Sequence, residues 1–186
     1  MNCYMGIDPS LTGTGIFILY EDGKNVSCEI STDPKKHPHS LERVDYISQK
    51  VVKLINKHKP VSILMEDYFN GRQAGTVIKL AELGTMLRTR VLENGNQFLT
   101  AKPSQIKKFV TGKGNCGKEL ILKCVYKKWA VDVSSNNIAD ACGMAYMCRA
   151  IYNSFNNVSQ ELLKYELEVL KLYSVDSYIK PYLTGV

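Results

Sequence analysis

No run of apolar residues in this chain approaches the roughly 20 that a membrane-spanning helix requires. The first residues also lack the basic region, apolar stretch and cleavage site of a secretory signal. These absences lead us to expect a cytoplasmic protein with no membrane role. Six cysteines (Cys3, Cys28, Cys116, Cys124, Cys142 and Cys148) are scattered, and no CxxC pair or Cys/His cluster has zinc-like spacing. They are expected to be reduced and mostly core-filling. There is no internal repeat and no low-complexity tract. A share of 45% apolar and 23% charged residues over 186 positions excludes a disordered or fibrous chain and suits one well-cored domain.

Acid is missing from one stretch in particular. Lysine and arginine outnumber aspartate and glutamate by 24 to 18, for a net charge of +6. Ala101 to Lys118, "AKPSQIKKFVTGKGNCGK", contains five lysines, three glycines and no acid. Such a segment is either a solvated basic loop or a surface for a phosphate backbone.

Strand signals come first. "MGIDPSLTGTGIFIL" reads as two strands joined by a turn of glycine and small hydroxyl residues, with strands expected at Met1 to Ile7, Thr14 to Tyr20 and, after the "EDGKN" turn, Ser27 to Thr32. The period then changes. Leu41, Val44, Ile47, Val51, Leu54 and Ile55 share one helical face from Ser40, an expected N-cap, to His58. A strand at Pro60 to Asp67 precedes a helix of about twenty residues ending at Asn94-Gly95. A short strand is expected at Gln97 to Thr100, then helices at Ser104 to Val110, Lys118 to Trp129 and Asn137 to Tyr152. Beyond the "NSFNN" linker, an amphipathic run from Val158 to Tyr173 sets Leu163, Leu167 and Leu170 on one face. The expected fold class is α/β, with a mixed five-stranded sheet: strands 1 to 3 are antiparallel, the later strands are parallel, and helices flank the sheet.

Two of these strands end in acid, at Asp8 and at Glu66-Asp67. An aspartate closing a central strand is costly unless it is paired, hydrogen-bonded or bound to a metal. If the two strands are parallel neighbours, their carboxyl ends share the sheet edge where open α/β sheets build their sites. Side chains alternate along a strand, so only one of Glu66 and Asp67 is expected to join Asp8. Asp140, near the start of an otherwise apolar helix, is a candidate third acid; the plainer account is a charge favourably placed near a helix N-terminus. Converging carboxylates beside a lysine-rich segment suit Mg²⁺ or Mn²⁺, and two such ions about 4 Å apart support phosphodiester hydrolysis.

"GIDPSLTGTG", "MEDYF", "VTGKGNCGK" and "NNIADACGMAY", in that order and separation, resemble the RuvC-type Holliday-junction resolvases of the RNase H-like nuclease superfamily, over residues 1 to about 152. The resemblance implies catalysis and metal ligation by Asp8, Glu66 and Asp140, two divalent ions per site, junction-base contact by Phe69, and contact with the scissile phosphate region by Lys107 and Lys118; Lys108 and Lys113 of the same basic segment are further candidate DNA contacts. It further implies a homodimer that cuts four-way junctions symmetrically, leaving 5′-phosphate and 3′-hydroxyl ends, with no small-molecule cofactor. Many members carry a fourth acid where this chain has Asn137, whose amide oxygen can ligate a hard cation but brings no charge. Residues 1–153 are expected to form the nuclease domain, and 154–186 a helical extension packed on that domain or on the dimer. The departures from bacterial members suggest a bacteriophage version. Two other readings are an actin-like or sugar-kinase ATPase domain, whose strand-turn-strand motif also begins with an aspartate, and a branched-DNA-binding module that has lost catalysis.

Overall fold

The computed structural model describes residues 1–36, 38–67 and 74–181. Among them, β1 (Cys3–Asp8), β2 (Thr14–Tyr20) and β3 (Asn25–Ile30) form an antiparallel meander. Then come α1 (Ser40–His58), β4 (Ser62–Glu66), α2 (Ala74–Glu93), β5 (Leu99–Ala101), α3 (Pro103–Thr111), α4 (Lys118–Trp129), α5 (Asn136–Phe155) and α6 (Lys164–Leu170). The sheet order is β3-β2-β1-β4-β5, with β1 parallel to β4 and β4 parallel to β5. This is the mixed five-stranded α/β sheet expected from the sequence. No helix among the described residues is long and apolar enough to cross a membrane.

Burial on both faces explains why β1 reads as a nearly continuous apolar run. Met5 and Ile7 of β1, with Ile63 and Met65 of β4, pack against Val44, Ile47, Val51 and Ile55 of α1 and Leu83, Leu87 and Val91 of α2. Tyr4, Phe17, Leu19 and Leu64 face the opposite way, into a core shared with α3, α4 and α5. Between that sheet face and the outer helices lies α5, buried along most of its length from Ile138 to Ile151. A helix apolar on all sides belongs in such a place.

The approach of α5 to the sheet is unusually close, and glycine makes it possible. A Cβ on Gly6 would collide with the Ala141 carbonyl oxygen and lie 2.7 Å from the Ala145 nitrogen; one on Gly15 would collide with the Asn137 carbonyl. Helix backbone therefore rests directly on strand backbone at two points. On the far side of α5, Gly143 faces the Val110 side chain of α3.

Four local expectations are corrected. Ser40 is the first helical residue and His39 the N-cap; the Ser40 hydroxyl donates to Glu82 Oε2 at 2.6 Å, taking it away from a capping role. Leu41 is exposed and falls outside the buried face of α1, which holds Ser48 besides the four apolar residues already named. The run from Val158 to Tyr173 forms a helix only over Lys164–Leu170, with Leu163 and Leu167 exposed and Glu166, Val169 and Leu170 buried. The reason is Glu166: Oε2 accepts the Leu163 backbone N–H at 2.7 Å and Oε1 pairs with Lys128, which turns the acid inward in place of the leucines. The linker also starts later than expected, because α5 continues to Phe155.

Gly6→Ala is expected to cost about 2 kcal/mol or more, because backbone atoms of α5 cannot rotate away from the added methyl. Gly143→Ala, where the obstacle is a side chain and the helix gains propensity, is expected to cost less. Urea unfolding of both variants checks this ordering; equal losses would contradict direct backbone contact.

Candidate active site

Asp8 ends β1, and parallel pairing places it beside Glu66. The register runs Tyr4 with Ser62 through Ile7 with Met65, so the next residues along, Asp8 and Glu66, reach the carboxyl edge of the sheet together. Both lie on the α5 face, and their side chains are hydrogen-bonded. Strand alternation sends Asp67 the other way, to Arg88 of α2 at 3.1 Å.

α5 supplies the third acid. Asp8 pairs with Gly15 across the β1–β2 ladder, so it lies beside one of the two points where α5 touches the sheet and two residues beyond the other. Asp140, one residue before Ala141, lies on α5 between Asn137 and Ala141, which make those contacts. The N-terminus of α5 is fixed by Ser135, whose hydroxyl accepts the Ile138 N–H at 3.2 Å and donates to Glu29 Oε2 at 2.6 Å. Glu29 was not singled out from the sequence. It is an exposed acid on a mostly exposed edge strand, and only tertiary placement sets its other oxygen, with the Asn137 amide nitrogen, against Gly13.

The electrostatics follow from this crowding. Asp8 and Asp140 keep a window to solvent but are enclosed on most sides. Burial, then the charges of Glu66 and Asp140, raise the Asp8 carboxyl well above its ordinary range, while Lys118 opposes the rise. Burial and the Glu66 charge push Asp140 up to about 6, with Lys118 and Lys107 acting against them. Both lysines thus reach the carboxylates through space, Lys107 from α3 and Lys118 from the first position of α4. Lys113 is exposed in the intervening loop. Lys108 points elsewhere and pairs with Glu168 of α6 at 2.8 Å. Phe69 lies outside the described residues.

A hard divalent cation fits this donor set. Two hydrogen-bonded carboxyls and a third acid held at high pKa store like-charge repulsion that a cation relieves, and all the ligand atoms on offer are oxygen. Asp140 acts on the pair through space. Among the described residues, no three His, Cys, Asp or Glu side chains are gathered closely enough to hold an ion on their own.

In the turn that follows Asp8, the hydroxyls serve the turn itself. Thr14 Oγ1 donates to the Ser10 carbonyl at 2.7 Å and accepts its N–H at 3.1 Å. Arg43 of α1 grips the same turn through the Leu11 carbonyl at 2.8 Å.

Acids at the ends of adjacent parallel strands, on a 3-2-1-4-5 sheet backed by a third acid on a buried helix, place the chain in the RNase H-like class of α/β folds. A family model described as crossover junction endodeoxyribonuclease RuvC matches residues 4–148, and the chain belongs to that family. The RuvC of Brachyspira hyodysenteriae is 25% identical over 158 residues, covering 83% of this chain and 98% of that protein. That of Chloroherpeton thalassium is 25% identical over 177 residues, covering 94% of each. The structure of Thermus thermophilus RuvC in complex with Holliday junction substrate matches with a TM-score of 0.70 at 22% identity, over 87% of this chain and all of that one. These relatives are bacterial; the expected phage origin rests on the sequence departures alone.

A carboxyl moved from 3.8 to about 6 destabilises the folded protein once ionised, by at most about 3 kcal/mol. The folded state binds more protons than the unfolded state between these values, so stability falls as pH rises from about 4 to about 6 and the whole deficit is present above. Asp140→Asn is therefore expected to raise the melting temperature of the chelator-treated protein at pH 8 and to leave it unchanged near pH 4. Thermal unfolding at both values checks the sign, and an equal gain at pH 4 would refute it.

Proposed function

We propose that this chain is a metal-dependent endonuclease that resolves four-way DNA junctions by hydrolysing one phosphodiester in each of two opposed strands, leaving 5′-phosphate and 3′-hydroxyl ends. The observation that carries this reading is the hydrogen-bonded pair of Asp8 and Glu66, with the charges of Asp140 and Lys118 acting on the same carboxyl. Family membership supports it, and the relatives' names supply the substrate class. Asp8, Glu66 and Asp140, with the amide oxygen of Asn137, would hold two Mg²⁺ or Mn²⁺ ions. Such ions, when bound, activate a water and stabilise the leaving oxygen.

The chain's own groups do the rest. The carboxylates must be ionised to serve as ligands, so activity rises as pH climbs past the high range to which burial and mutual repulsion have moved them. Lys107 and Lys118 bring positive charge to the edge where a DNA phosphate would lie, and Lys113 extends that charge along the glycine-rich loop. Phe69 is assigned to junction bases on the resemblance alone. Lys108, engaged by Glu168, is the least available of the lysines. Two copies of the chain would place two such sites on one junction. Residues 1–153 would form the nuclease unit and 154–186 an extension packed on it.

A labelled synthetic four-way junction, a flap and a linear duplex, each with Mg²⁺ or Mn²⁺, test the reading. The junction is expected to be cut in paired strands, and Asp8→Asn to lower the rate by about 100-fold or more. Binding without cleavage would favour the impaired-module reading, and Mg²⁺-dependent ATP turnover without nicking would favour the ATPase. Asn137→Asp is expected to raise cleavage at limiting Mg²⁺; an unchanged metal dependence would remove Asn137 from the ligand set.

A further inference from the structure

One buried ion pair has no part in the chemistry above. Lys128, near the end of α4, is 19% exposed and Glu166, in α6, only 7%. Lys128 Nζ pairs with Glu166 Oε1 and donates to the carbonyls of Phe109 and Val110, at 3.2 and 3.4 Å, so that all three ammonium protons have acceptors. Three rings surround the charge: Phe109, Trp129 and Tyr165, with centroids 5.4, 5.0 and 5.4 Å away. A buried pair of this kind gives little net stability compared with apolar filling of the same space. What it does give is a fixed geometry for the groups it joins.

Those groups are the last turn of α3 and the extension. Immediately beyond Phe109 and Val110, α3 stops at Gly112, which takes the left-handed conformation (φ 80°). Tyr165 packs there: a Cβ on Gly112 would lie 3.3 Å from its Cδ1, and the adjacent Lys108 is held by Glu168. From this point the glycine-rich loop 112–117 departs, tied to α3 by Thr111, whose hydroxyl donates to the Lys107 carbonyl at 2.8 Å and accepts the Lys113 N–H at 3.1 Å. The loop ends on Lys118, the lysine whose charge acts on both Asp8 and Asp140. Three contacts from α6 therefore converge on the hinge of the segment that delivers a cation to the site. The family model matches only to residue 148, so α6 lies beyond that model, although the alignment with the Chloroherpeton thalassium relative extends over it.

We propose that Glu166 and Lys128 are positioning residues: by clamping the C-terminal end of α3 to α6, they set the place of the 112–117 loop and hence of Lys118 at the carboxylates. The inference rests on the nuclease reading only for the role given to Lys118.

Two measurements on the full chain test it. The first is hydrogen exchange without DNA or metal. Glu166→Gln is expected to speed exchange of the 112–118 amides by about tenfold or more while leaving β1, β4 and α5 unchanged. Acceleration spread evenly over the chain, or none in the loop, would overturn the clamp. The second is junction cleavage by Glu166→Gln, Lys118→Ala and the double variant. Glu166→Gln is expected to lose about tenfold or more, divided between kcat and KM in the same proportion as the Lys118→Ala loss. The double variant is expected to fall no further than Lys118→Ala alone, within about twofold. Losses that multiply would show that Glu166 does not act through Lys118. If Glu166→Gln fails to fold, Lys128→Met/Glu166→Leu, which fills the same space with apolar atoms, carries both measurements with the same expectations. A wild-type protein that leaves junctions uncut removes the nuclease reading, whereas the exchange comparison still decides whether the pair holds the loop.

Discussion

The site depends on helix backbone lying directly on strand backbone. At Gly6 against Ala141 and at Gly15 against Asn137, nothing intervenes between α5 and the sheet. Asp8 stands across the ladder from Gly15 and two residues beyond Gly6, and Asp140 lies between Asn137 and Ala141 on the helix. A larger side chain at either glycine would lift α5 and withdraw Asp140 from Asp8 and Glu66, leaving two strand-end acids without their third member. The glycines therefore work here through the volume they leave empty; their conformational freedom is incidental.

That closeness creates the electrostatic tension of the site. Three acids are held by apolar packing that does not relax when they ionise: the β1–β4 register places two, and a helix buried along most of its length places the third. Burial and mutual charge raise Asp8 and Asp140, and Lys118 and Lys107 act in the opposite sense. Folding energy from a large, distributed core sustains a small unfavourable cluster, which is the usual relation between a scaffold and a site that must bind something of opposite charge.

How far this was legible in the sequence differs between elements for physical reasons. Asp8 and Glu66 were readable because an acid ending an apolar strand violates the local pattern, and the alternation that separates Glu66 from Asp67 is a local rule; Asp67 is accordingly on the other face with Arg88. Gly6 and Gly15 read only as residues of a strand and a turn, since their role depends on what the chain brings over them much later, at Ala141 and Asn137. Lys107 and Lys108 are adjacent and chemically equivalent in sequence. About 100° of helical rotation separates them, and an acid of α6 holds one while the other faces the site. The leucine spacing after Val158 misled for a related reason: hydropathy counts Glu166 as polar and exposed, whereas Lys128 makes it a buried residue and turns the helix accordingly.

The anionic and cationic halves of the site are held by different kinds of structure. Strand register and backbone contact fix the carboxylates, and neither can shift by a fraction of a residue without moving every neighbouring side chain to a wrong place. Lys118 arrives as the first residue of α4, at the end of a glycine-rich loop whose backbone imposes few constraints, so that its approach depends on what packs at the loop's ends. At the far end of that loop is the first turn of α4, and at the near end is the last turn of α3, whose carbonyls Lys128 gathers and whose terminal glycine Tyr165 covers. A site that balances fixed anions against a cation delivered at a loop's end depends on the support under that loop. In this chain that support comes from α6, which lies beyond the stretch that the family model matches.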